Sequence, residues 1–179
     1  MDTSVLFRIL DAACRNFESA DESMEDAAIS ALALIPKQEK LDGDTMVSYM
    51  VLCAEKRHCK LMSAIKNHIM NRGIPTPSSS TSVFKDLRTA CVNSNYTEFY
   101  KHATEMASAS GCDMSAIAIE DLAESCRKGR RLIANVIVRA NHISDELLGE
   151  MALTASESGS WDIAAFLLET IRNRTEKRA

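Results

Sequence analysis

The chain has 179 residues, 46% of them hydrophobic and only 5% aromatic, with six glycines and three prolines. A chain this long buries roughly two thirds of its unfolded surface, so a packed core is expected, and the scarcity of turn residues favours helices over many strands. The formal charge of −4 argues against a strong nucleic-acid attractor, which carries a clear basic excess.

The charge is uneven: residues 1–45 hold ten acids and four bases, and residues 46–179 hold 15 acids and 17 bases. The start, MDTSVLFRILDAACRNFESAD, has no basic leader and no cleavage site of small residues. No apolar run approaches the roughly 20 residues that cross a bilayer. These features predict a soluble, intracellular protein with no membrane contact. Its six cysteines then read as free thiols, buried as small hydrophobes.

In chain order, Val5, Leu6, Ile9, Leu10, Ala13 and Phe17 recur at helical spacing over 4–19. Ser19 or Ser23 offers a cap for a second helix over 27–35, closed by Pro36. A charged linker leads to Asp44 or Thr45 as the cap of a helix over 46–56. The next runs from Cys59 to Asn71 and stops at Arg72-Gly73. Ile74-Pro75-Thr76-Pro77 and five Ser/Thr residues form an exposed connector over 74–82. Further helices are predicted over 82–93, 97–110, 113–127, 131–140, 145–156 and 161–172, with Asp113 and Ser144 as caps and 173–179 as a frayed tail.

Small residues recur where each first helix ends: Cys14, Cys53, Cys91, Cys126 and Ser156, separated by 39, 38, 35 and 30 residues. Three of the turns that follow carry Ser94, Gly129 and Gly159 at one offset, and five residues after the small position come His58, Tyr96, Arg131 and Trp161. A small residue at a helical corner lets two antiparallel backbones approach. One two-helix hairpin cannot bury both its faces, and stacked hairpins can. The expectation is an all-α, right-handed α-solenoid of about five hairpins and ten helices, with no sheet: an acidic hairpin and linker over 1–43, a repeat body over 44–172 and the tail.

Leu87-x-x-Ala90-Cys91 with its polar turn, His68-Ile69-Met70-Asn71-Arg72-Gly73-Ile74-Pro75, and Thr104 to Gly111 with its Met-to-Gly ending resemble the pentatricopeptide repeat family, and more distantly the tetratricopeptide family. The resemblance covers about 45–145. It implies an α-solenoid, often one that binds single-stranded RNA in organelles. In that family a residue about seven before the small position reads a base and is usually Asn, Ser or Thr. Here the places hold Met46, Phe84, Ile119 and Gly149, or one residue on, Val47, Lys85, Glu120 and Glu150. None offers the expected hydroxyl or amide, so a protein-binding relative fits better than an RNA reader.

The remaining chemistry is sparse. Cys53, His58 and Cys59 match no common zinc spacing; they read as packing thiols beside a surface histidine. Cys112 at a helix start has no assignable histidine partner. His68, His102 and His142 read as partly exposed and inert. Met46, Met50, Met62, Met70, Met106 and Met114 read as core gap-fillers. Arg127, Lys128, Arg130 and Arg131 form a basic corner, and Arg172, Arg174, Lys177 and Arg178 a second cluster; corners of neighbouring hairpins share an edge, so the two are expected to merge into one patch. Trp161, the only tryptophan, is expected to pack beneath the last turn, with an exposed interface anchor as the alternative. There is no phosphate loop, nucleophile elbow or His-Glu-x-x-His motif.

The sequence therefore predicts a non-catalytic interaction module without cofactor, metal or small-molecule substrate. It would bind a protein partner or join a larger assembly, with single-stranded RNA as the alternative ligand. The expected contact residues are Lys85, Glu120, Arg127, Lys128, Arg130, Arg131 and Trp161, on a concave face built by the first helices.

Overall fold

A computed structural model describes residues 2–15, 22–74, 81–109, 111 and 115–178. Ten helices and no strand occur among them: α1 (Thr3–Arg15), α2 (Glu22–Leu34), α3 (Gly43–Lys56), α4 (Cys59–Arg72), α5 (Thr81–Ser94), α6 (Thr97–Ala109), α7 (Ser115–Lys128), α8 (Arg131–Ala140), α9 (Asp145–Glu157) and α10 (Trp161–Arg178). The connector over 75–80, the caps proposed at Ser19 and Asp113, Cys112 and Met114 lie outside the described residues.

Consecutive helices pair as five antiparallel hairpins, which makes the chain an α-solenoid. First helices stack in sequence as one layer, α1 on α3, α3 on α5, α5 on α7 and α7 on α9. Second helices form the other layer, with α2 on α4, then α6 on α8 and α8 on α10, while α4 and α6 hardly meet. The core lies between the layers. Leu6, Leu10, Met46, Met50, Phe84, Leu87, Leu122 and Leu148 fill it from the first helices, and Leu61, Ile65, Ala103, Ile137 and Leu167 from the second. Among the described residues no helix is long and apolar enough to cross a membrane.

The corners share one hydrogen-bonding pattern, and it moves the expected register by one residue in the last two hairpins. The N–H of His58 donates to the Cys53 carbonyl (2.9 Å), Tyr96 to Cys91 (2.8 Å), Arg130 to Ser125 (2.8 Å) and Ser160 to Ala155 (2.8 Å). Cys53, Cys91, Ser125 and Ala155 are the matching small positions, each fully buried; Cys126 and Ser156 stand one place later. Four residues beyond each small position comes a backbone with positive φ: Arg57 (65°), Asn95 (59°), Gly129 (66°) and Gly159 (75°). The N–H bond across six residues is the Schellman closure of a helix end, which requires that left-handed residue. Asn95, not Ser94, therefore takes the turn glycine's place.

Several ends differ from expectation for local reasons. Asp42 caps α3, its Oδ2 accepting from the Thr45 N–H (3.0 Å) and the Thr45 hydroxyl (2.6 Å), so Asp44 and Thr45 lie inside the first turn. α2 begins at Glu22, with Glu22 and Glu25 in its first turn, where acids favour the helix dipole. Ser144 caps α9 as expected, accepting from the Leu147 N–H (3.2 Å). α10 continues to Arg178 rather than fraying after Arg172. Arg174 anchors this extension by donating to the Ile143 carbonyl (2.6 Å) and the Asp145 carboxylate (3.1 Å).

Candidate functional site

Two polar clusters are buried inside hairpin joints. Arg88 of α5 meets Asp121 of α7 at 2.7 Å, and the Tyr100 hydroxyl of α6 accepts from Arg88 (2.5 Å) and donates to Asp121 (2.8 Å). All three are nearly inaccessible. Burial pushes the Asp121 carboxyl above its ordinary value, against the opposing pull of Arg88 and the Tyr100 hydrogen bond. The second cluster joins the first two hairpins. Glu25 of α2 accepts from the Leu61 N–H in the first turn of α4 (2.9 Å), a cap that His58 does not supply from its own side chain. His58 is buried beside it, with Nδ1 4.0 Å from Glu25, so it is no surface histidine. Its position at the inward corner place, which Ser160 fills in the last hairpin, explains the burial.

The thiols follow the same division. Cys14 and Cys53 touch through their sulfurs at 3.7 Å, and this contact together with burial drives the Cys53 thiol far above its ordinary value. Burial pushes Cys91 up to about 12 and Cys126 up to about 11. Cys59 is exposed and shares a hydrogen bond with the Tyr96 hydroxyl (2.8 Å). Among the described residues no three His, Cys, Asp or Glu side chains converge as metal ligands. Four of the core methionines, Met46, Met50, Met62 and Met106, are buried, but Met70 is 60% exposed.

The expected contact residues scatter. Lys85 and Glu120 pair with each other at 2.7 Å across α5 and α7. Arg127 and Lys128 pair with Glu124 at 2.9 and 3.1 Å. Lys128 also reaches the Asn93 side chain, and Arg130 donates to the Asn93 carbonyl (3.1 Å). That corner is thus largely neutralised within the stack, and Arg131 is its exposed member without an ion pair among the described residues. The second basic cluster lies at the opposite edge, where Arg174 grips the α8–α9 turn, so the two do not merge. Trp161 is 68% exposed rather than packed beneath the turn, because the one-residue shift puts Ser160 in the inward place.

A groove that the sequence did not announce runs over the second-helix layer. One cavity of about 400 Å³ lies between α6 and α8, lined by Lys101, Thr104, Glu105, Asn135, Val136 and Arg139 among others. Another of about 440 Å³ lies between α8 and α10, where Phe166, Thr170, Asn173 and Lys177 join Asn135, Val138 and Arg139. Asn135 and Arg139 line both, so the two form one trough across three helices. Its acids are already engaged: Glu105 with His102 (3.3 Å) and Glu169 with Arg172 (3.7 Å). Its hydroxyls donate along their own helices, Thr104 to Tyr100 and Thr170 to Phe166. Lys101, Arg139 and Lys177 are exposed and carry no ion pair among the described residues. The Asn135 Oδ1 is buried without a donor. The trough therefore presents free cations over an apolar floor.

A further hollow of about 670 Å³ occupies the gap where α4 and α6 separate, floored by Ile29, Ala64, Tyr96 and Phe99. Its one lysine, Lys60, is already paired with Glu22, so it offers no such charge.

The four places seven residues before the corrected small positions are Met46, Phe84, Ala118 and Leu148, all buried and apolar. A side chain there packs the core and presents nothing to a base edge. No family model matches the chain, and no curated protein and no solved structure matches it.

Proposed function

We propose that the chain is a non-catalytic helical-repeat module that binds an acidic segment of a protein partner along the α6–α8–α10 trough. The observation that carries this reading is the trio Lys101, Arg139 and Lys177, left unpaired in a trough whose acids are engaged. The apolar floor at Val136, Val138 and Phe166 suits aliphatic side chains interleaved with the acids. Such a surface recognises a peptide by alternating pockets and charges, with the ion pairs adding on-rate and specificity.

Two observations support protein over RNA and binding over catalysis. Of the places where a pentatricopeptide-type protein reads bases, those seven before the corners are core positions here, and those one residue on hold Val47, Lys85, Ile119 and Gly149, which carry no hydroxyl or amide side chain for a base edge. Among the described residues, the buried groups whose proton affinity is strongly displaced, Cys53, Cys91 and Tyr100, sit in hairpin joints rather than in the trough, and Tyr96, raised by burial and its Cys59 hydrogen bond, lines the separate α4–α6 hollow.

Fluorescence anisotropy with a labelled peptide of alternating Glu and Leu, and separately with a single-stranded RNA, tests the reading. The peptide should bind, and Lys101→Glu with Arg139→Glu should weaken it about tenfold or more while leaving helicity intact. Binding of the RNA alone, with an affinity that collapses between about 50 and 200 mM salt, would replace the acidic peptide by a nucleic acid.

A further inference from the structure

One face of α10 is exposed in the described chain, whereas the equivalent face of α8 lies against the hairpin that follows it. With Arg130 and Ser160 at equivalent corners, Val138 of α8 and Leu168 of α10 occupy the same place in successive hairpins. α10 covers Val138, which is 5% exposed; Leu168 is 55% exposed. Asn135, which likewise faces α10 across the trough, corresponds to Ala165, and Ala165 is exposed. Trp161, Ala165, Leu168 and Arg172 thus form one exposed stripe at the spacing of a single helix face. Leu153 of α9, 60% exposed, adds to the apolar surface of this hairpin. Phe166 and Glu169, in contrast, line the trough on the side facing α8.

The stripe is complementary to itself. When two copies of α10 run antiparallel about a point between Phe166 and Leu167, Trp161 of each falls opposite Arg172 of the other, and Ala165 opposite Leu168. An aromatic face meets a guanidinium, an arrangement that attracts through the ring quadrupole, and a large aliphatic residue meets a small one, which lets the helices approach. Arg172 is 67% exposed, with Glu169 and Glu176 each at 3.7 Å from its nitrogens, so its guanidinium can keep both carboxylates at its edge while a ring stacks on its face. A twofold contact uses the same patch on both partners and closes on itself. We infer that the chain forms a twofold homodimer through α10, with Trp161 stacked on Arg172 and Leu168 seated on Ala165 of the second copy.

The chain contains a single tryptophan, which this contact would bury, so its emission reads the interface directly. Sedimentation of the full chain from about 1 to about 100 μM, a range that brackets micromolar association, should show a monomer passing to a dimer. Tryptophan emission should shift to the blue over the same range. Leu168→Glu lies on an exposed position and should weaken the dimer tenfold or more with unchanged helicity and melting. Arg172→Glu should weaken it as well and cancel part of the emission shift. A chain that stays monomeric with water-exposed emission at the highest concentration would overturn the inference. So would a dimer that tolerates Leu168→Glu, or growth into oligomers beyond two, which marks a head-to-tail contact. A foreign protein that blue-shifts the emission while the chain alone does not would show that the face belongs to another partner.

Discussion

Arg88 and Asp121 form an ion pair 2.7 Å long between α5 and α7 with almost no solvent access to either side chain, and the Tyr100 hydroxyl bridges both. Three successive helices thereby meet at one polar point inside an apolar stack. Removing one partner of a buried pair leaves an uncompensated charge and costs about 3–5 kcal/mol, whereas an apolar replacement of both can be nearly neutral. Asp121→Ala and Arg88→Ala should each lower the unfolding free energy by about 3–5 kcal/mol. Arg88→Met combined with Asp121→Leu should lose much less than the sum. Urea denaturation of the singles and the pair measures this, and strict additivity would contradict it.

The same pair gives a pH signature. Burial raises the Asp121 carboxyl above its ordinary value, so between about 3.9, the unfolded value, and the raised folded value the native state holds a proton that the unfolded chain has lost. Stability then falls as pH rises through that window, and the effect is constant above it. The stability difference between the native protein and Asp121→Asn should therefore shrink as pH rises from about 4 and then level off. A difference that grows with pH would mean that Arg88 outweighs burial.

Thiol reactivity should divide the cysteines by position. The thiolate is the nucleophile, and burial holds Cys91 up to about 12 and Cys126 up to about 11. Brief alkylation of the folded protein at neutral pH, followed by peptide mapping, should modify Cys59 and spare Cys14, Cys53, Cys91 and Cys126. Urea should expose all of them. Modification of Cys91 before Cys59 would contradict the packing of the joints.

The corners make a prediction of opposite signs. Gly129 has φ near 66°, where a Cβ costs about 1–2 kcal/mol, and no clash adds to it, since the nearest atom to that Cβ is the Ser160 hydroxyl at 3.5 Å. Gly129→Ala should destabilise by about that amount. Asn95 occupies the same left-handed place, so Asn95→Gly should stabilise by a few tenths to about 1 kcal/mol. Thermal melts of the two variants check the pair of signs.

Helix number, pairing and the two-layer stack were legible because apolar residues repeat at 3.6-residue spacing and Asn95, Gly129 and Gly159 close three of the four described corners, Arg57 closing the other. The register of the last two corners was not. Cysteine served as the marker, and in those hairpins Ser125 and Ala155 do the same work one residue before Cys126 and Ser156. The fixed interval to Gly129 and Gly159 carried the correct signal. The slip moved Trp161 from a solvent-facing first turn into an imagined inward place. Arg88 and Asp121 sit on otherwise uncharged buried stripes, Phe84-Leu87-Arg88-Cys91 and Ala118-Asp121-Leu122-Ser125, and a charge at such a place signals a buried partner. The trough had no such mark, since Lys101, Arg139 and Lys177 become neighbours only when α6, α8 and α10 stack.

The sharpest test of the whole account is amide hydrogen exchange of the full chain with and without the Glu/Leu peptide. Binding in the trough should slow exchange in α6, α8 and α10, around Lys101, Arg139 and Lys177, and leave α5 and α7 around Lys85 and Glu120 unchanged. Protection confined to the first-helix layer, or none at saturating peptide, would contradict it.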